Sequence, residues 1–117
     1  MKNFILLIAV MVVSAYATTS TVKSVTGAYE HKRGEDTFRM VFLENGIAEA
    51  YENGKKDEVE HRWKVVEGEI HVTGPDEKTG IWRINKDGSI TGIAEISKDG
   101  KRKEAPKEAQ MTLKKIK

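Results

Sequence analysis

Apolar and polar residues alternate through His61-Arg62-Trp63-Lys64-Val65 and again through Glu69-Ile70-His71-Val72-Thr73. A period of two sends successive side chains to opposite faces of a β-strand, so each run predicts a strand with one buried face. Around such runs stand four tripeptides of one kind: Glu44-Asn45-Gly46, Glu52-Asn53-Gly54, Lys86-Asp87-Gly88 and Lys98-Asp99-Gly100. Asn-Gly and Asp-Gly supply the left-handed backbone of a hairpin, either as a two-residue type I′ turn or as a three-residue loop whose Gly forms a bulge. Glu67-Gly68 is a weaker fifth turn, and residues 74–80 read as a longer loop. Strands are expected near 25–31, 37–43, 47–52, 57–66, 69–73, 80–85, 89–97, 101–104 and 110–116. Helix has room only as a single turn near 106–110, ahead of the last strand. The predicted fold is all-β, an antiparallel up-and-down meander of about eight strands that forms a small barrel or a strongly curved sheet.

Pairing the faces predicts register. A three-residue loop at 86–88 sets Trp82 opposite Gly92 and Ile84 opposite Ile90, so that an indole covers a glycine backbone. The same loop at 44–46 sets Phe42 opposite Ala48 and Met40 opposite Ala50, large against small as a filled interior requires. Val41, Leu43 and Ile47 then fall on the other face. That region is apolar on both sides, which makes these three a candidate protein interface.

A two-residue turn at Glu67-Gly68 sets Trp63 opposite Val72, Val65 opposite Ile70 and Lys64 opposite His71. A loop of odd length would mix apolar with polar residues. His61 then shares the inner face of Trp63 while His71 points the other way, so the two imidazoles cannot hold one metal within this hairpin. His71 reads as an exposed strand residue. His61 reads as a polar group at the rim of the core, either bonded to backbone or water or set at a pocket mouth, with His31 as its neighbour if the barrel closes.

The amino terminus adds a destination. Lys2, an apolar run of ten residues from Phe4 to Val13, and Ala15-Tyr16-Ala17 have the form of a secretory signal peptide. The run is well short of the roughly 20 residues of a spanning helix. The expected organisation is a signal-peptide helix at 1–17 and a single β domain at 18–117, secreted or periplasmic and without stable membrane insertion after cleavage. There is no cysteine, so burial and backbone hydrogen bonds must hold this small exported domain without disulfides.

Overall charge steers nothing, with 20 Lys and Arg against 18 Asp and Glu. The distribution is uneven, because residues 98–117 carry eight basic and three acidic side chains. A basic patch can take anionic surfaces, and lysine on a terminal strand also guards a sheet edge against self-association. The patch lacks the interleaved aromatics of single-strand binding, and no nucleic-acid partner is expected.

Catalysis needs a nucleophile with a base, a carboxylate pair in a cleft, or a metal. The chain has no Gly-x-Ser-x-Gly, no His-Glu-x-x-His and no glycine-rich phosphate loop. The reading is therefore of a non-enzyme without cofactor or metal. Gly27-Ala28-Tyr29-Glu30-His31, the hairpin from Phe38 to Lys55 and the segment Arg62 to Val72 resemble the small exported lipocalin-like domains of bacteria, within the calycin group of antiparallel barrels. That resemblance implies the barrel-like meander and small-molecule binding. It departs from the family at Tyr29, where Gly-x-Trp is usual, and in its short length.

Two function classes follow. The first is an exported, monomeric binding domain for a small apolar or amphipathic ligand, with Tyr29, His61, Trp63 and Trp82 as candidate contacts. The alternative is a protein-interaction module, an inhibitor or envelope adaptor, that uses Val41, Leu43 and Ile47 or a sheet edge.

Overall fold

The computed structural model describes residues 24–117, so the signal-peptide reading of 1–17 lies outside the described residues. The elements in chain order are β1 (Gly27–Arg33), β2 (Asp36–Phe42), β3 (Ile47–Glu52), β4 (Lys55–Lys56), β5 (His61–Val66), β6 (Glu69–Thr73), β7 (Thr79–Ile84), β8 (Ile90–Ile96), β9 (Arg102–Glu104), the 3-10 turn η1 (Lys107–Ala109) and β10 (Thr112–Lys115). All strand pairs are antiparallel, in the order β10-β1-β2-β3-β5-β6-β7-β8-β9 with β4 on β3. A further pairing of β10 with β8 closes the sheet. The result is an eight-stranded barrel of β1, β2, β3, β5, β6, β7, β8 and β10.

The x-[Asn/Asp]-Gly tripeptides resolve into two turn types. In three of them the residue before the tripeptide and the residue after it bond as a pair: Leu43 with Ile47, Asn85 with Ser89 and Ser97 with Lys101, all at 2.9 Å. Gly46, Gly88 and Gly100 sit at φ between +86° and +89°, a backbone that side chains oppose. The central Asn45, Asp87 or Asp99 accepts the amide of the residue two further on, at 3.0, 2.9 and 3.3 Å. Glu52-Asn53-Gly54 behaves differently. The Asn53 amide donates to the Thr37 carbonyl and its Oδ1 accepts the Thr37 amide, both at 2.8 Å. Asn53 (φ +53°) and Gly54 (φ +82°) then form a two-residue turn.

The expected registers are present: Phe42 faces Ala48, Met40 faces Ala50, Trp63 faces Val72, Lys64 faces His71, Trp82 faces Gly92 and Ile84 faces Ile90. The inner faces gather Val25, Tyr29, Phe42, Trp63, Ile70, Ile90 and Leu113 into one core. Tyr29 and Phe42 meet edge-on at 5.5 Å, and Phe42 and Trp63 at 5.2 Å. Both polar aromatic tips are satisfied, as burial demands. Tyr29 Oη donates to the Val25 carbonyl at 2.7 Å and Trp63 Nε1 to the Leu43 carbonyl at 2.9 Å.

One expected strand is interrupted. The segment 57–66 is strand only from His61, because the Asp57 carboxylate takes the Val59 amide at 3.1 Å and turns the chain after β4 has paired back on β3. β9 and β10 both lie along one edge of β8, at Ala94–Ile96 and at Ile90–Thr91 respectively, with residues 105–111 looping out between them. One more irregularity lies opposite, where Ile81 faces Ala94 and Trp82 faces Gly92, leaving Ile93 as an extra residue in β8. Such a bulge bends its strand and increases local twist.

Candidate functional site

The barrel is closed along only part of its height. The β1–β10 ladder pairs Tyr29 with Lys115 and Glu30 with Lys114 and goes no further toward His31. In the same register Lys32 would face Thr112. The Thr112 carbonyl is instead 3.0 Å from His31 Nδ1. A carbonyl only accepts, so Nδ1 carries the proton of this bond. Above it the β1–β2 hairpin and the β8–β9 pair part company.

An apolar cleft of about 930 Å³ opens at this split mouth. Its apolar lining comes from Phe38 on β2, Trp82 on β7, Gly92 and Ala94 on β8, and Ala105, Pro106, Ala109 and Met111 around η1. Trp82 lies over Gly92, where a Cβ would stand 3.4 Å from the indole Cζ3. The absent side chain lets the ring lie close to the backbone. Met111 is 37% exposed, one of three markedly exposed large apolar residues among the described ones. A second cleft of about 790 Å³ lies beside β4, with Ala50, Tyr51 and Val59 in its wall, and Phe38 lines both.

The polar rim of the first cleft is Glu95, Ser97, Lys101, Arg102, Lys103 and Glu104. Arg102 is tied down. Its guanidinium donates to both carboxylate oxygens of Glu69 on β6, at 3.0 and 3.2 Å, and to Glu104 at 2.6 Å. These bonds raise the guanidinium pKa and hold the Glu69 carboxyl below its ordinary value. This forked pair fastens β9 across the outside of β7 and β8.

Of the four candidate ligand contacts, only Trp82 lines the cleft. Tyr29 and Trp63 are core, 1% and 7% exposed. Burial pushes the Tyr29 phenol up to about 12. His61 is half-buried with its ring against Gly74, where a Cβ would stand 3.1 Å from Nδ1. His31 turns to Thr112 and His61 to Gly74, so the expected neighbours make separate contacts. His71 does occupy the face opposite Trp63, as its register requires. It is not the exposed residue expected, because its side chain is only 13% exposed. Nε2 is buried without a hydrogen-bond partner, 3.8 Å from Glu69 Oε1. The Glu69–Arg102 pair on the same outer face accounts for this, since it lies across the strands beside His71.

Val41, Leu43 and Ile47 are all half-buried. Val41 lies between Ala28 and Glu49 in register, and Leu43 and Ile47 close the β2–β3 hairpin. The exposed apolar surface is instead at Val59, Met111 and Ile116, the first two of which line the mouth clefts. Phe38 and Met111 escaped the sequence reading. Their alternation with buried Met40 and Leu113 was visible, but the fact that the barrel splits at their level was not. Among the described residues no group of three or more His, Asp or Glu is placed to hold a metal ion. Comparisons with protein-family models, curated proteins and solved structures gave no match to this chain.

Proposed function

We propose that this protein is a non-enzymatic, exported binding domain that takes a small apolar or amphipathic molecule at the split mouth of its barrel. The observation that carries this reading is the cleft floored by Trp82 over Gly92 and walled by Phe38 and Met111. Concave, mainly apolar sites with a few polar groups at the edge are where small molecules bind. The deep barrel interior of the lipocalin-like group does not serve here, because Tyr29, Phe42 and Trp63 fill it. The sequence resemblance therefore supports the class of function and not the location of the site.

The test is native mass spectrometry of the protein purified gently from its producing cells. An added mass that persists under mild conditions, disappears on denaturation and is lost in Trp82→Ala supports the reading. A bare monomer mass in every preparation, with neither dodecyl maltoside nor dodecanoate shifting the amide resonances of Gly92 and Met111, would sink it.

A second reading, recognition of a polypeptide by strand addition, draws on the outer edge of β9, which among the described residues pairs only with β8. Its three residues are Arg102, Lys103 and Glu104. A short charged edge is how sheets discourage such pairing, so the cleft is the better supported site.

A further inference from the structure

We infer that Pro106-Lys107-Glu108-Ala109-Gln110 is the specificity-determining element of the mouth cleft, an insertion within one barrel strand that supplies the outer wall. This rests on the cleft reading above and adds which part of the chain decides what fits.

Register exposes the insertion. Glu104 of β9 pairs with Ala94 and Thr112 of β10 with Thr91, so β9 and β10 run in line along the same edge of β8. Between those two pairs β8 has Gly92 and Ile93. The ends of the loop use both. The Ala105 amide donates to the Ile93 carbonyl at 2.8 Å, and the Gly92 amide donates to the Met111 carbonyl at 2.9 Å. Ala105 and Met111 therefore hold the places opposite Ile93 and Gly92, and the five residues between them have no place in the ladder. β9 and β10 are one strand, opened to admit them.

The insertion is ordered without serving the core. No residue of η1 is buried. The loop is held by bonds of its own: the Ala109 amide to the Pro106 carbonyl at 2.9 Å, the Gln110 amide to the Lys107 carbonyl at 3.2 Å, and Gln110 Nε2 to the Ala105 carbonyl at 3.1 Å. Pro106 adds a fixed φ of −63°. Ordering a segment costs conformational entropy, which burial usually offsets. A compact surface loop that keeps its order without burial points to a use at the surface.

Its side chains divide accordingly. Pro106 and Ala109 line the cleft, while Lys107 and Glu108 between them are exposed and stand outside its lining. Gly92 joins this wall to the floor, since its amide holds Met111 and its backbone lies under the Trp82 ring. The neighbouring Ile93 is the bulged residue of β8. Floor and wall are thus set at the same two residues, and the insertion alone is free to vary without disturbing a strand pair.

The experiment uses the protein and two neutral probes with one head group, dodecyl maltoside and the bulkier cyclohexylhexyl maltoside, each below its micelle concentration. Binding is read by calorimetry. A variant lacking residues 106–110 joins Ala105 to Met111 in register. It should keep a urea midpoint no lower than that of the native protein and bind dodecyl maltoside at least about tenfold more weakly. Ala109→Asp keeps the length of the loop and puts a charge in the wall, and should weaken the same probe about tenfold. Glu108→Ala should bind as the native protein does. Ala109→Trp narrows the cleft, and should shift preference toward the linear probe by about threefold or more.

Native affinity in both the shortened chain and Ala109→Asp, or an unchanged probe preference in Ala109→Trp, would overturn the role of the insertion and leave the cleft reading standing. Equal weakening by Glu108→Ala and Ala109→Asp would also overturn it, because the loop would then act through its order and not through its inner face. Should the shortened chain not fold, the two Ala109 variants decide on the same readings. Failure of both probes on the native protein would overturn the insertion and the cleft together.

Discussion

His31 and Thr112 mark the height at which the barrel stops being closed. The imidazole Nδ1 stands 3.0 Å from the carbonyl that the next rung of the β1–β10 ladder would have used. A side chain has replaced a backbone donor, and the backbone of Lys32 is left without a partner on β10. Replacing His31 with Ala frees the Thr112 carbonyl. The expected outcome is an added rung and a narrower split, read as slower amide exchange at Lys32. Unchanged exchange at Lys32 would show that the loop through η1, and not His31, holds the strands apart.

Stability at high pH should depend on Tyr29. Its phenol titrates near 12 in the fold, against an ordinary value of 10.0. A pKa raised on folding means that the stabilisation is complete below pH 10 and disappears as pH rises through 12. The unfolded chain loses its proton first, and that loss favours unfolding. Two units correspond to about 2–3 kcal/mol across that window, to order of magnitude. Urea denaturation at pH 8, 10 and 11.5 should show a steeper decline for the native protein than for Tyr29→Phe, which begins about 1 kcal/mol less stable from loss of its bond to Val25. Parallel declines would assign the alkaline loss to other groups.

Gly27 should accept no side chain. Its φ is +135°, and a Cβ there would stand 2.2 Å from the Lys117 carbonyl oxygen. That carbonyl accepts the Ala28 amide at 3.3 Å. Gly27→Ala is thus expected to cost about 1–3 kcal/mol and to loosen β10 on β1. Thermal melts compared with Gly34→Ala provide the contrast. Gly34 also has positive φ, +62°, but a Cβ there meets nothing within 4 Å. Equal effects would mean that strain alone matters and the close approach does not.

The two tryptophans should separate core from site. Trp63 contacts Phe42 and bonds Leu43, so Trp63→Ala should destabilise by about 3–5 kcal/mol. Trp82 is half-exposed at the cleft, and Trp82→Ala should cost about 1–2 kcal/mol while abolishing binding of dodecyl maltoside. Denaturation midpoints and calorimetry on both variants decide the matter. If Trp82→Ala binds the maltoside as the native protein does, the ligand does not lie on Trp82.

Hairpin chemistry and alternation made much of this barrel legible from sequence. Asn45-Gly46, Asp87-Gly88 and Glu67-Gly68 act within a few residues, and each sets a register that carries through its whole hairpin. Trp82 over Gly92 was readable for that reason. What sequence did not carry was closure. Whether β10 reaches both β1 and β8 depends on curvature summed over eight strands, and at the split an imidazole meets a carbonyl 81 residues away. The candidate site inherited that gap. Tyr29 and Trp63 both point inward, and inward in a closed small barrel means packed. Phe38 and Met111 are also inward, but they stand where the closure fails.

Joining Tyr29 to Lys115 brings together residues 86 positions apart. Contacts this distant in sequence fold slowly, because the chain gives up its loop entropy before the contact rewards it. Until β10 docks, β1 and the Ile90–Thr91 end of β8 each present an unpaired edge. Refolding should therefore pass through a form with two adhesive edges, and its yield should fall as protein concentration rises while the finished barrel stays soluble.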